Sequence, residues 1–257
     1  MTAQNQQREL AVMVGATGAL GTTVAHRLID AGLHLLAIGR REDELKALAA
    51  TSKHISYVVA DIGDDACIEI IKAKVAAINT TVRMVVHAAG VPVAGGVLEA
   101  NPIALSQAVN IKAGGMLRLH RATDAHLVRG SRLVAVGGHY GFEPTAYAAT
   151  AGVANAGLTN LMRQFSWALG ERGITAHLVA PGPADTERLR NVANARAAQR
   201  GVSVEEVFNE LKQESAIHAF TTPEQVAWGI CLLLAPEADA MAGSSLMLDS
   251  GRRHGLP

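Results

Sequence analysis

The residues with the plainest chemical meaning lie near the start: Gly15-Ala16-Thr17-Gly18-Ala19-Leu20-Gly21 follow an apolar run, Leu10–Val14, and lead into a segment of helical period, Ala19–Asp30. Glycines so placed permit a tight turn and a close backbone approach to a pyrophosphate. The helix start then offers unpaired N–H groups and the positive end of its dipole. Between a first strand and a first helix, Gly15, Thr17, Gly18, Leu20 and Gly21 read as a dinucleotide phosphate cradle, against the plainer alternative of a glycine-rich turn that binds nothing. The second strand ends at Ile38-Gly39, and Arg40 and Arg41 follow it where an acid would accept ribose hydroxyls. Arginine there accommodates a 2′-phosphate, so NADP(H) is expected in preference to NAD(H), unless the two are simply a solvated pair at a helix start. A second set with chemical potential comes later: His139, Tyr140 and Tyr147. An imidazole titrates near neutrality and can donate a proton unaided, whereas a phenol with a pKa near ~10 needs a neighbouring cation to do the same.

The elements that must position these groups alternate regularly. Strand patterns fall at Leu10–Val14, Leu35–Ile38, Ile55–Val59, Arg83–Val86, Arg132–Val136, Thr175–Val179 and Ser245–Leu248. Helical patterns lie between them, among them Asp64–Ile78, Gly152–Arg172 and Pro223–Leu234. Near-continuous apolar strands alternating with helices predict an α/β fold, a Rossmann-type, doubly wound, parallel seven-stranded sheet with helices on both faces. Ligands in such sheets bind beyond the carboxyl ends of the strands, so the residues just after each strand matter most. The stretch Ala184 to Phe220 breaks the rhythm with two helical patterns and no strand; Ser203 and Glu206 stand there at capping-box spacing. Residues 184–220 are read as a helical lid over the crevice, the alternative being a surface pair packing on a neighbouring subunit. Leu189 and Phe208 are expected to line the pocket with Gly138, His139, Tyr140 and Tyr147.

Composition narrows the class. At 257 residues and 49% hydrophobic content the chain is expected to form one domain, 1–257, with a full core. Basic and acidic residues balance at 23 each, which favours neither nucleic acid nor an anionic membrane. Cys67 and Cys231 sit in apolar patterns without metal-ligand spacing and are expected to be reduced thiols; no metal site is expected. The start, Met1 to Glu9, is polar, and no apolar run reaches the ~18 residues needed to span a bilayer. A cytoplasmic protein is the expectation.

Together with several later motifs, these residues resemble the short-chain dehydrogenase/reductase family from about Leu10 to Gly251. Asp61-Ile62 after the third strand resembles the family's adenine-contacting position. His87-Ala88-Ala89-Gly90 resembles its Asn-Asn-Ala-Gly stretch with both asparagines replaced, and Val109-Asn110 its helix asparagine that helps hold a proton-relay water. Pro181-Gly182-Pro183-Ala184-Asp185-Thr186 is similar to the loop that closes over the nicotinamide amide. The resemblance thus implies cofactor contacts at Asp61, Ile62, Ala88, Ala89, Gly90, Asn155, Pro181, Gly182, Ala184 and Thr186, a catalytic role for Asn110, and a homodimer or homotetramer formed through the helices after strands 4 and 5.

The resemblance also exposes a gap. The family transfers a hydride at the nicotinamide while a tyrosine moves the hydroxyl proton, a serine orients the oxygen, and a lysine depresses the tyrosine pKa. Counting back from Arg172-Gly173-Ile174, which is similar to the family's Arg-Gly-Ile, puts the tyrosine position at Ala151 and the lysine position at Asn155. The strand ending in Val136-Gly137-Gly138 puts the serine position at Gly138. From Gly114 through Leu211 there is no lysine at all. A second alignment matches Tyr147-Ala148-Ala149-Thr150 to the family's Tyr-Ala-Ala-Ser; it supplies a tyrosine, one turn (~5.4 Å) before Ala151 if the helix starts early, but again no lysine. The expectation is an NADP(H)-dependent oxidoreductase of a small carbonyl or alcohol that uses Tyr147 or His139 as a substitute acid. The alternatives are a cofactor-binding sensor or partner subunit without turnover, and an isomerase or dehydratase reusing the pocket.

Overall fold

The computed structural model describes residues 8–91 and 96–255; residues 1–7 of the polar start lie outside them. Strands β1 (Leu10–Val14), β2 (His34–Gly39), β3 (Ile55–Val59), β4 (Val82–His87), β5 (Leu127–Val136), β6 (Thr175–Pro181) and β7 (Ser245–Leu248) form one seven-stranded parallel sheet in the order β3-β2-β1-β4-β5-β6-β7. Helices α1 (Gly21–Asp30), α2 (Glu42–Ala50), α3 (Cys67–Ile78), α4 (Pro102–Val109), α5 (Gly115–Thr123), α6 (Ala149–Leu169), α7 (Glu187–Arg200), α8 (Val204–Gln213) and α9 (Pro223–Leu232) complete the fold. The chain crosses from β3 at one edge to β4 beside β1, so strand order reverses between β1 and β4 and a crevice opens outside their carboxyl ends.

The period-2 alternation of each strand divides the core. Leu10, Val12 and Val14 point to one face, where they pack with Ile71 and Val75 of α3, Met116 and Leu119 of α5 and Leu158 and Met162 of α6. Ala11 and Met13 point to the other, against Val24 and Leu28 of α1, Leu45 and Leu48 of α2 and Val226 and Ile230 of α9. Both faces are covered, which is why the strands read as continuous apolar runs.

Several boundaries moved, each for a local reason. α1 begins at Gly21, not Ala19, because the Gly18 N–H turns back onto the Gly15 carbonyl at 3.2 Å. α3 begins at Cys67, not Asp64, because the Asp64 carboxylate caps the Ala66 N–H at 2.9 Å. β5 begins five residues early with an irregularity at Gly130 (φ +86°), where the Ser131 hydroxyl accepts from the Val128 N–H and donates to the Val82 carbonyl. α6 starts at Ala149, so Tyr147 lies in the turn before the helix and not on it.

Between Ala184 and Phe220 lie α7 and α8 and no strand, apart from a bridge of Ala184 to Thr221 just past its end. Ala193 and Ala197 of α7 bury against Val207 and Leu211 of α8. Leu189 and Phe208, partly buried, pack against this small core of the helical pair. Ser203 caps α8 by accepting from the Glu206 N–H at 3.1 Å, but a full capping box forms only at Thr222–Gln225 on α9.

Candidate active site

The glycine loop is built as its spacing implies. Gly15 has φ +84°, and a Cβ there would meet the Ala88 carbonyl oxygen at 2.6 Å. A Cβ at Gly21 would stand 1.9 Å from the Gly15 carbonyl oxygen. The loop therefore presses against Ala88 and Ala89 at the end of β4, with Gly90 exposed beyond them, and no larger residue fits. Thr17 and Gly18 are on the outer side of the turn, and Leu20 stands at the N-cap of α1, whose first N–H groups lack intrahelical partners.

At the end of β2, Arg41 pairs with Glu44 at 2.7 Å, whereas Arg40 is exposed and forms no ion pair among the described residues. Past β3, Asp61 accepts the Gly63 N–H at 2.9 Å, and the buried Ile62 gives its carbonyl to Arg118 at 3.0 Å. The same Arg118 donates to the Asn110 side-chain oxygen at 2.9 Å, while Asn110 Nδ2 donates to the Gly63 carbonyl at 2.8 Å. Asn110 begins a π-helical turn, Asn110–Gly114, and its side chain braces the Asp61–Gly63 loop.

Lys112 on that turn was not singled out from the sequence, yet it stands just before the lysine-free stretch. It is 5% exposed, and its ammonium donates to the Val136 carbonyl at 2.8 Å, two residues before Gly138. Its neighbour His87 is fully buried and donates from Nε2 to the Ile111 carbonyl at 2.9 Å. Burial first, and the Lys112 charge second, hold the His87 pKa at about 3, so it is neutral at pH 7.

Gly138 lies just past the end of β5, and Ala151 and Asn155 lie one turn apart on α6. Ala151 and Asn155 are buried on α6, and the Asn155 amide lies against Gly138 at the end of β5. None of the three carries an ionisable group. The ionisable groups are beside them. His139 is buried and its ring centroid is 3.9 Å from that of Tyr140. Burial, then the nearby Arg252, push its pKa down to about 4, so it does not titrate near neutrality as expected and has no extra proton to give at pH 7.

Tyr147 presents the opposite electrostatics. Its hydroxyl is 3.0 Å from that of Tyr140, with the rings edge to face. Arg196 of α7 lies 4.6 Å from the Tyr147 ring centroid. Partial burial pushes the Tyr147 pKa up, but the Tyr140 hydrogen bond and the guanidinium groups of Arg196 and Arg252 outweigh it, and the net shift is downward. Tyr140 goes the other way, to about 12, through burial and its bond to Tyr147. Tyr140 thus keeps its proton and donates it to the Tyr147 oxygen when the latter ionises. Arg252 is held in place by Glu214 and by the Leu211 carbonyl, and Arg253 lies near Glu143 on the loop after the 3₁₀ turn His139–Gly141. Neither Arg196 nor Arg252 was legible as a site residue: α7 carries several arginines, and nothing in their spacing marks one that folds back onto a tyrosine.

The loop after β6 is tied to the end of β7 and to Thr221. Gly182 donates to the Leu248 carbonyl at 3.0 Å, and a Cβ on it would meet the Asp249 Cα at 2.9 Å. Pro181 is buried at the end of β6, Ala184 bridges to Thr221, and Thr186, whose hydroxyl donates to the Ala184 carbonyl at 3.3 Å, leads into α7. Among the described residues no cluster of His, Cys, Asp or Glu is arranged to hold a metal, and no helix is long and apolar enough to cross a membrane.

A doubly wound sheet with a glycine cradle at β1 and a tyrosine beside the end of β5 defines a class, and the sequence comparison agrees. The profile of the family described as enoyl-(acyl carrier protein) reductase matches residues 15–253, and the chain belongs to the short-chain dehydrogenase/reductase family of oxidoreductases. It is 26% identical over 259 residues to the short-chain reductase protein NovJ of Streptomyces niveus, covering 96% of this chain and 94% of that one. Among solved structures it is similar to a variant of actinorhodin polyketide ketoreductase with NADPH (TM-score 0.88, 23% identity, 96% of this chain and 98% of that one). It is likewise similar to L-sorbose reductase from Gluconobacter frateurii complexed with NADPH and L-sorbose (TM-score 0.88, 18% identity, 97% and 98% coverage).

Proposed function

We propose that this protein is an NADP(H)-dependent reductase of a small, partly apolar carbonyl compound, or a dehydrogenase of the matching alcohol, with Tyr147 as its proton donor and acceptor. One observation carries this reading: a tyrosine whose pKa is lowered by a phenol 3.0 Å away and by arginines from two other segments stands in the turn before α6, four residues before the position that the alignment assigns to the family's tyrosine. A cation near a phenol favours the phenolate, which is what a proton shuttle at neutral pH requires. Here Arg196 and Arg252 supply that charge, and Tyr140 steadies the developing phenolate by hydrogen bond.

The residues also suit the cofactor. Gly15 and Gly21 make a cradle that a single Cβ would fill, and Arg40, without an ion-pair partner among the described residues, is the guanidinium for a 2′-phosphate. Asp61, Ile62, Ala88, Ala89, Gly90 and the Pro181–Thr186 loop line the rest. When bound, the nicotinamide supplies or accepts the hydride; the protein's part is to bind it, exclude water beneath α7 and α8, and move the proton at Tyr147 Oη. Residues 184–220 act as the lid of one domain. Asn110 acts by holding the Asp61–Gly63 loop, and His139 by packing Tyr140. The exposed Ile103, Leu117 and Val153 on α4, α5 and α6 support a homodimer or homotetramer through those helices.

The test is NADPH oxidation across a panel of ketones and aldehydes by the wild type and Tyr147→Phe. Loss of a general acid costs ~10²–10⁴ in rate. Turnover unchanged in Tyr147→Phe would remove Tyr147 from the mechanism. A second reading, a cofactor-binding subunit without turnover, is favoured by the absence of ionisable groups at Gly138, Ala151 and Asn155. It predicts NADPH binding with no oxidation by any carbonyl tested.

A further inference from the structure

Around the Tyr140–Tyr147 pair the acidic side chains are already matched, and one guanidinium is left over. Arg252 pairs with Glu214, and Arg253 with Glu143 at 3.7 Å. Asp249, near His139, accepts the backbone N–H groups of Gly251 and Arg253 at 3.1 Å each. On α7, Arg190 faces Asp185 at 3.9 Å, and Arg200 holds Glu210 by two hydrogen bonds. Arg196, between them on the same helix, is partly buried and pairs with no carboxylate among the described residues. Its charge lies against Tyr147 instead, 4.6 Å from the ring centroid. One tyrosine cannot occupy the five N–H donors of a guanidinium. Holding such a group partly out of water without a counter-charge is unfavourable, so its remaining donors call for an anion.

The anion has a definite place and a definite number of charges. His139 is neutral at pH 7, and Tyr147 carries its proton when a carbonyl is to be reduced. With the other pairs neutralised, Arg196 leaves the region one positive charge in excess, which suits a single anionic group. An arginine fork matches a carboxylate through two parallel hydrogen bonds. We propose that the substrate is a small oxo acid, its carboxylate bound by Arg196 and its carbonyl oxygen facing Tyr147 Oη. Because Arg196 and Tyr147 touch, the carboxylate and the carbonyl belong close together, as in a 2-oxo or 3-oxo acid. The carbonyl carbon gains the hydride that NADPH supplies, its oxygen gains the Tyr147 proton, and the carboxylate is unchanged in the hydroxy acid formed. This proposal rests on the reductase reading above and adds to it the charge of the substrate.

The experiment follows NADPH oxidation by the full-length protein with 2-oxohexanoate and 3-oxohexanoate, each against its methyl ester. The wild type is expected to favour an acid over its ester about 10- to 100-fold in kcat/KM, the size of a charge-assisted hydrogen bond. Arg196→Gln is expected to erase that preference, and Arg196→Lys to keep part of it. The acid-to-ester ratio is the readout because a change in the Tyr147 pKa slows both substrates alike and leaves the ratio in place. Binding is read separately by calorimetry on the NADP⁺-loaded protein, with hexanoate against hexanamide, neither of which has a ketone to reduce. Hexanoate is expected to bind more tightly than hexanamide in the wild type and equally in Arg196→Gln. Esters reduced as readily as acids, or an acid preference that persists in Arg196→Gln, overturn the proposal and leave the reductase reading standing. Weaker NADPH binding by Arg196→Gln with hexanoate binding unchanged assigns the arginine to the nucleotide and also overturns it. Selective hexanoate binding without turnover of any carbonyl supports the carboxylate site and overturns the reductase reading. Neither binding nor turnover overturns both.

Discussion

Arg196 and Tyr147 meet across the crevice: the guanidinium carbon of a helix in the 184–220 insert lies 4.6 Å from the ring centroid of a tyrosine in the turn before α6. The contact ties the insert to the one phenol at the site whose pKa is lowered. Cation–aromatic contacts of this kind contribute about 0.5–1 kcal/mol at partly exposed positions. Their effect on ionisation is the more useful readout.

Replacing Arg196 by Gln removes a charge that favours the phenolate, so the Tyr147 pKa must rise. The pH profile of alcohol oxidation should move to higher pH at its basic-form limb, with kcat reduced at pH 7. Ultraviolet titration of tyrosinate in the wild type and the variant reads the same shift directly. A profile that stays in place would detach Arg196 from the acid.

His139 gives a contrasting expectation. Because its pKa is held at about 4, His139→Gln should leave the pH dependence of turnover unchanged between pH 6 and 8. A limb near pH 6.5 that disappears in His139→Gln would restore histidine as the acid.

The buried histidines also set acid stability. His87, His139 and His177 have folded pKa values of about 3, 4 and 4, below the ~6.5 of an unfolded chain, mainly through burial. The unfolded state therefore binds more protons as pH falls. Their contribution is intact above pH ~6.5 and is lost progressively from there down to pH ~4. Thermal melts should show a falling Tm across that window, and His177→Gln, remote from Tyr147 in the chain and buried in β6, should flatten part of it. A Tm independent of pH between 7 and 4.5 would contradict the burial argument.

Arg40 and Arg41 should separate cleanly. Arg41 is taken by Glu44, so Arg41→Ala should change nucleotide affinity little. Arg40→Ala should weaken NADPH about 10- to 100-fold, from the ~1.5–3 kcal/mol of a charge-assisted bond, and leave NADH untouched. Parallel losses for both nucleotides would mean that Arg40 does not meet a 2′-phosphate.

Arg132 provides a test of the scaffold alone. It is buried on β5, donates to the carbonyls of Leu233 and Ala235 after α9, and pairs with Asp239 at 2.6 Å. Arg132→Leu strands the two carbonyls, while Asp239 stays in water, and should cost about 2–4 kcal/mol in urea unfolding. A loss below ~1 kcal/mol would show that solvent reaches and satisfies them.

Much of this was legible in the chain itself. The alternation of apolar runs with helical periods placed every strand within about five residues, because burial on both faces makes most strand positions apolar. Gly15 and Gly21 were readable because a Cβ there would stand 2.6 Å and 1.9 Å from backbone oxygens, which admits no other residue. The helix that the count from Arg172-Gly173-Ile174 assumed is present, since α6 runs without interruption from Ala149 to Leu169.

The sequence alone therefore determined the sheet and the glycine turn after β1, since each depends on local spacing or on burial that repeats along the chain. Tertiary structure alone decided what gathers around Tyr147 and the end of β5. Arg196 reaches Tyr147 from α7, Arg252 from the carboxyl-terminal tail and Tyr140 from the turn after β5, while Lys112 buries its ammonium under the end of that strand. These meetings join segments far apart in the chain. No period or motif encodes such a meeting, because a side chain's charge is written in the sequence but its neighbours, and hence its pKa, are set by packing.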